Sequence, residues 1–317
     1  MVDPGNMKIL TGLVIRSISG FFTVSTPEGD FICRVRGRLK KGHLDGDIVA
    51  VGDRVKIMTQ VDGTGSIEEV APRVHALVRL APTPRGIYQQ VLLANADQVV
   101  FIFACANPEP HLRMLDRFLV IAEKQGIPPV IVANKVDLIG KEQAMALFEH
   151  YRPIGYTIIY TSAKTGEGIS TLRDCLIGKL SAFSGPSGVG KSSLLNTIQP
   201  DLGLAVREVS QATSKGRHTT VVRELFPIKE GGYVADTPGI RQLALWDTEP
   251  EELDGYFPEL RELVDQCQFN DCSHSTEPGC AVRAAVTDGR VHPERYDSYL
   301  RLRYSDSDID IKEYKIS

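Results

Sequence analysis

Gly185-Pro186-Ser187-Gly188-Val189-Gly190-Lys191-Ser192 fits G-x-x-x-x-G-K-S/T in full, and Ser193 continues into an apolar run that reads as a helix. Each residue type has a task in phosphate chemistry. The glycines let successive backbone N–H groups turn toward one anion, and a helix starting near Lys191 adds the positive end of its dipole. The Lys191 ammonium can reach the outer phosphates of a nucleoside triphosphate, and the Ser192 hydroxyl can ligate Mg2+.

Asn134-Lys135-Val136-Asp137 has the form N-K-x-D. The Asp137 carboxylate can accept from both N1–H and N2–H2 of guanine. Adenine offers no such pair, and a site built to pair a group rejects the analogue that lacks it. Asn134 is expected at the base edge, with the Lys135 stem packed over the ring. Thr161-Ser162-Ala163-Lys164 has the shape of a second guanine loop, with the Ala163 N–H near O6. Either segment alone would pass for a solvated turn; two of them after apolar strands, together with a phosphate loop, point to GTP and GDP.

Asp236-Thr237-Pro238-Gly239 reads as D-x-x-G. Asp236 is expected to hold Mg2+ through water, and the Gly239 N–H to sense the γ-phosphate. Between this motif and the phosphate loop lies Lys215-Gly216-Arg217-His218-Thr219-Thr220. One of Thr219 and Thr220 is expected to close on Mg2+, and the sequence leaves open which. Ile240 stands where Ras-like enzymes carry a glutamine that orients the attacking water. The expectation is slow intrinsic hydrolysis, raised by a partner. His218 is a candidate for positioning the water, with an exposed loop histidine as the alternative.

The order of the motifs is unusual. G domains run phosphate loop, switch I, D-x-x-G, N-K-x-D, S-A-K; here the two base-reading loops come first. A circular permutation moves the chain ends without changing the site.

Two further groups stand outside these motifs. Cys267, Cys272, His274 and Cys280 give C-x4-C-x-H-x5-C, a donor set suited to structural zinc, with reduced thiols or a local disulfide as the alternative. Arg34, Arg36 and Arg38 share parity, so an extended strand places them on one face, and Lys40 and Lys41 follow. With Phe21, Phe22 and Phe31 nearby they suit RNA, although a charged edge strand guarded against aggregation reads the same way.

The elements that must position these groups fall into a multidomain pattern. Residues 1–72 carry short alternating runs separated by turn residues, which suggests a five-stranded β-barrel of the OB type. Residues 73–87, with Pro82, Pro84 and Gly86, read as a linker. Residues 88–246 alternate apolar strands with helical spacing, the mark of a doubly wound α/β domain. Within it, helices are expected over 112–125 and 171–180. Residues 247–317 read as a helical zinc-binding domain with a polar tail.

The chain has 317 residues and a net charge of −4, so any nucleic-acid surface must be local. The apolar run Val99–Ala104 is too short to cross a membrane, and Met1–Asn6 lacks the basic and apolar parts of a signal peptide. A cytoplasmic monomer with no membrane partner is expected.

Taken together, the chain resembles the RsgA (YjeQ/YloQ) family of circularly permuted GTPases of small-subunit ribosome assembly. The resemblance spans the barrel, Asn134–Asp137, Ser162–Lys164, Gly185–Ser193, Gly216–Thr220, Asp236–Gly239 and the Cys/His cluster, with Val221 where members often have a third threonine. It implies GTP hydrolysis stimulated by the ribosome, binding to the 30S subunit and its rRNA through the barrel and the zinc domain, and a catalytic part for His218. A nucleotide-gated RNA-binding module with incidental turnover is the competing reading. An ATPase is disfavoured by Asp137.

Overall fold

In the computed structural model, the described residues are 8–40, 46–60, 62–83, 86–200, 224–236 and 248–304. Alternation of apolar and polar residues builds the first domain. Strands β1 (Ile9–Ile18), β2 (Phe21–Thr26), β3 (Gly29–Val35), β4 (Arg54–Thr59) and β5 (Thr64–Val70) close a barrel in the order β1-β2-β3-β5-β4. The ladders are antiparallel except for β3 with β5. Every second residue points inward, so Val14, Phe22, Val24, Cys33, Val55, Ile57 and Ile67 form its core.

The stretch 73–87 departs from the expected linker. It carries β6 (Ala76–Thr83) and the start of β7 (Gly86–Ala94), an antiparallel hairpin. Pro82 is tolerated because it sits near the hairpin's tip in a two-stranded sheet. Polar contacts tie the hairpin to the barrel. The Asp47 carboxylate accepts from Tyr88 Oη and Val91 N, each at 2.8 Å, and buried Asp53 pairs with Arg73 Nε at 2.8 Å.

The central domain is a six-stranded sheet in the order β10-β9-β8-β11-β13-β12. Its strands are β8 (Gln98–Ala104), β9 (Pro129–Asn134), β10 (Thr157–Thr161), β11 (Leu180–Ser184), β12 (Phe226–Pro227) and β13 (Tyr233–Asp236), parallel except for the edge strand β12. The fully buried β8 shows how the sheet separates two cores. Val99, Phe101 and Phe103 face α1 (Leu112–Lys124) and α2 (Lys141–Phe148), whereas Val100, Ile102 and Ala104 face α3 (Ile169–Leu176) and α4 (Lys191–Ile198). Helix α3 stops four residues before the expected Leu180, because Ile177 turns extended and Gly178 takes φ +73°. That break frees 180–184 to form β11, the strand that presents the phosphate loop.

The last domain holds a 3-10 turn (Pro250–Tyr256), α5 (Pro258–Arg261), α6 (Ala281–Thr287) and α7 (Pro293–Arg303). Val120 of α1 is buried in the same apolar cluster as Phe257, Leu260 and Tyr299, so α1 serves two cores. The fold is therefore a barrel, a permuted α/β domain and a helical domain around the Cys/His cluster. The polar tail beyond Tyr304 lies outside the described residues. No described helix is long and apolar enough to cross a membrane.

Candidate functional site

Parallel strands put their carboxyl ends on one edge, where ligands of doubly wound sheets bind. Here β9 ends on Asn134, β10 on Thr161, β11 on Ser184 and β13 on Asp236. Residues 134–137, 161–164, 185–192 and 236, scattered over a hundred positions, thus meet along one rim.

At the end of the rim expected to take the base, Asn134 is buried and its amide is fixed at both ends. Nδ2 donates to the Val189 carbonyl at 2.8 Å, and Oδ1 accepts from Thr161 Oγ1 at 3.0 Å. Within the second loop motif the sequence gives Thr161 no role of its own. Its only signal there is a polar side chain closing an apolar strand, just before Ser162-Ala163-Lys164. Ser162 Oγ donates to Asp137 Oδ1 at 2.6 Å and accepts from Thr165 N at 3.1 Å, and the turn is closed by Gly166 N donating to the Ser162 carbonyl at 2.9 Å. Ala163 and Lys164 ride on that turn. The Lys135 ammonium donates to the Gly188 carbonyl at 2.7 Å and also to the Asn107 carbonyl, bridging the phosphate loop and the loop after β8. Burial lowers its pKa, with nearby Asp137 opposing.

The phosphate loop depends on two glycines. Gly190 adopts φ +98°, and a Cβ there would stand 2.5 Å from Asn134 Nδ2. Gly185 lies against β8, where a Cβ would meet the Ile102 carbonyl at 2.1 Å. Between them run Pro186, Ser187, Gly188 and Val189, and Lys191, Ser192 and Ser193 form the first turn of α4. Lys191 Nζ donates to the Gly185 and Pro186 carbonyls, both at 2.9 Å, so its ammonium lies over the loop. Across from it, burial pushes the Asp236 carboxyl up, with Lys191 opposing, and Asp236 Oδ1 is buried without a hydrogen-bond partner among the described residues. A hard cation carrying water would satisfy that oxygen, so the residues present fit Mg2+. His218, Thr219, Thr220 and Gly239 lie outside the described residues.

The second site is the Cys/His cluster. The donor atoms of Cys267, Cys272, His274 and Cys280 all lie within 4.8 Å of one another. Cys267 Sγ and Cys280 Sγ are 3.5 and 3.4 Å from His274 Nδ1, and 4.0 Å from each other. Metal–ligand bonds of zinc length in a tetrahedron predict N···S of ~3.6 Å and S···S of ~3.8 Å. The residues therefore fit a four-coordinate metal of that size. His274 Nε2 faces Asp254 Oδ2 at 3.2 Å, the outer contact that orients a metal-binding imidazole. Although burial pushes the Cys280 thiol up, His274 and the Arg283 N–H bring it down to about 7, which favours the thiolate.

His150, His292 and Glu294 also come within ligand reach of one another. The two rings are stacked, with centroids 4.2 Å apart and planes 17° from parallel. Stacked imidazoles cannot both aim an in-plane lone pair at one ion, so this group is a packing contact. His292 thus lies apart from the cysteine cluster and has a ring partner in His150.

On the barrel, the Arg34 guanidinium sits 4.2 Å from the centroid of the exposed Phe21 ring, and Arg36 pairs with Glu68. The side chains of Arg38 and Lys40, and all of Lys41, lie outside the described residues.

Residues 70–246 match the RsgA GTPase family model, and 11–67 match that of the RsgA N-terminal domain. The small ribosomal subunit biogenesis GTPase RsgA of Gemmatimonas aurantiaca is 48% identical, over 92% of this chain and 96% of that protein. Its namesake from Caldanaerobacter subterraneus subsp. tengcongensis is 41% identical, over 98% and 100%. Among solved structures, YjeQ from Thermotoga maritima superposes with a TM-score of 0.77 at 38% identity, covering 94% of this chain and 98% of its own. YloQ, described as a circularly permuted GTPase, gives 0.74 at 33% identity over the whole of both chains.

Proposed function

The chain belongs to the RsgA GTPase family and is a GTP hydrolase acting in ribosomal subunit biogenesis, and from that premise we propose that it binds the 30S subunit and assists its late maturation, with ribosome-stimulated conversion of GTP to GDP and phosphate. The observation that carries the site assignment is the convergence of Asp137, held by Ser162, with the Gly185–Ser192 loop on one sheet rim.

In this reading Asp137, Asn134 and the Ala163 N–H take the guanine, and Lys135 and Lys164 flank it. The loop N–H groups and Lys191 take the phosphates. Ser192, Asp236 and one of Thr219 and Thr220 hold Mg2+, which would supply charge to the β- and γ-phosphate oxygens. Gly239 reads the γ-phosphate, and His218 positions the attacking water, since Ile240 cannot. Zinc at Cys267, Cys272, His274 and Cys280 is structural, because the protein fills all four positions. The barrel, with Arg34, Arg36, Arg38, Lys40 and Lys41, meets rRNA in a monomeric, cytoplasmic protein.

The test is hydrolysis of GTP and ATP by the purified protein, alone and with 30S subunits, 50S subunits or 70S ribosomes. Slow, GTP-selective turnover that rises with 30S alone is the expected result. Turnover indifferent to every ribosomal particle would remove the 30S assignment and leave the GTPase. Replacing His218 by Ala without loss of stimulated turnover would remove its role.

A further inference from the structure

We infer that Ile15 and Leu225 are positioning residues for the GTP-bound state, joining the barrel to the strand that leads out of the chain carrying Thr219 and Thr220. The inference rests on the reading of those threonines as the residues that close on Mg2+.

A bulge in β1 starts the argument. Its pairing with β2 passes from Val14–Val24 directly to Arg16–Thr23, so Ile15 has no β2 partner. A bulged residue leaves its ladder and can turn its polar groups elsewhere. The Ile15 carbonyl accepts from the Leu225 N–H at 2.8 Å. The next residue, Arg16, forms an antiparallel bridge with Glu224, and their side chains approach to 3.8 Å. That ion pair is exposed and contributes little energy; it marks the register. Leu225 is buried in the main core of the α/β domain, and Leu13 and Ile15 of the barrel pack on the same core. The joint is thus a backbone hydrogen bond seated beside an apolar anchor.

Its position in the chain gives it leverage. Glu224 comes four residues after Thr220. Phe226, immediately after Leu225, opens β12, whose partner there is Val234 of β13, two residues before Asp236. The joint therefore lies close along the chain to the threonines, and one strand pairing away from the segment that ends on Asp236. A contact that differs between nucleotide states couples them reciprocally to whatever seats on the barrel. A ligand that moves β1 would alter the preference for GTP over GDP, and GTP would alter the hold on β1.

Leu225→Pro removes the N–H donor and tests this in the full chain. The measurement is affinity for GDP and for a non-hydrolysable GTP analogue with Mg2+, read with fluorescent nucleotides. The expected result is a shift of at least fivefold in the ratio of the two affinities, with GDP affinity within twofold of wild type. A folded variant, by circular dichroism, whose ratio stays within twofold overturns the inference. Should the variant not fold, hydrogen exchange at the wild-type Leu225 amide decides. A rate differing at least threefold between the GDP and analogue states supports the joint, and equal rates overturn it. The threonine reading fails separately, if Thr219→Ala and Thr220→Ala both leave the Mg2+ dependence of GTP binding unchanged.

Discussion

The Arg295 guanidinium, wholly buried, donates to Asp116 Oδ1 at 2.8 Å across the junction of α7 and α1, two residues 179 positions apart. Asp116 also accepts from Tyr151 Oη at 2.7 Å and from Ser298 Oγ, and Glu259 takes the other side of the guanidinium, with Nε at 2.6 Å. Phe257 lies under the cation at 4.5 Å. Every charge here has a partner, so the cost of removing one exceeds what the pair contributes against an apolar replacement. Asp116→Ala is expected to lower stability by about 3–5 kcal/mol, as for other broken buried pairs. Urea titration followed by circular dichroism checks it; a loss under 1 kcal/mol, about that of an exposed pair, would contradict the burial argument.

Thr161 supplies the second prediction. Its hydroxyl is the donor to Asn134 Oδ1, and both residues are buried. Thr161→Val keeps the shape and leaves that oxygen unpaired, a cost of about 1–3 kcal/mol. The amide of Asn134 would then be held at Nδ2 alone, and affinity for GDP should fall roughly tenfold, since ~1.4 kcal/mol is a factor of ten. Isothermal titration with GDP reads this directly; unchanged affinity would mean that Val189 alone orients the amide.

The contrast between Thr161 and the motifs shows what the sequence made legible. The phosphate loop, N-K-x-D and S-A-K each keep their chemistry within a few consecutive residues, and the four metal-type ligands lie within one short segment, Cys267 to Cys280, so residue type and spacing expose them. The barrel strands were legible because one face is buried and side chains alternate. The hairpin at 76–94 was hidden by Pro82, Pro84 and Gly86, whose local preference favours a linker. The early end of α3 was hidden because Leu176 to Leu180 keeps an apolar spacing across Gly178. Asp116 with Arg295, and Ile15 with Leu225, join distant segments, and the direct bond of the second pair is between backbone groups, which leaves no side-chain signature.

Metal should hold the last domain together. Three tyrosines of the C-terminal segment bond the backbone and hydroxyls of the loop that carries Cys272 and His274: Tyr296 Oη donates to the His274 carbonyl at 2.6 Å, Tyr299 Oη to the Ser273 carbonyl at 3.0 Å, and Tyr304 Oη to Ser273 Oγ at 3.0 Å. Cys280→Ser is expected to abolish stoichiometric zinc, read by elemental analysis, and to loosen α7, read as faster hydrogen exchange over 293–303. Full zinc occupancy in this variant would argue against Cys280 as a ligand. A cobalt-loaded wild-type protein should show the intense d–d absorption of a tetrahedral site.

His150 predicts an acid limb in stability. Burial, with nearby His292 and Arg295, brings its pKa from 6.5 down to about 4, against the pull of Asp116. The unfolded chain therefore binds a proton that the folded protein refuses between about pH 6.5 and 4. Stability should fall as pH drops through that window, and this contribution should level off below it. Replacing His150 by Gln removes the titration, so the slope of stability against pH over that window should flatten relative to wild type. Parallel slopes in the two proteins would assign the acid limb to other groups.

Gly190 links the two halves of the proposed nucleotide site. Its φ of +98° is one that side chains rarely adopt, and a methyl there would press on Asn134 Nδ2 at 2.5 Å. Gly190→Ala therefore strains the phosphate loop and pushes on the amide that Val189 and Thr161 hold. The two effects fall on different parts of the ligand. Loss of the loop should weaken GTP and GDP alike, whereas displacement of Asn134 should weaken guanine nucleotides relative to inorganic pyrophosphate. Measuring all three ligands separates them. A drop in GTP and GDP affinity of at least about 100-fold, as ~3 kcal/mol implies, with a smaller drop for pyrophosphate, is the outcome the contact predicts. An equal drop for all three would mean that the clash is relieved within the loop and never reaches Asn134.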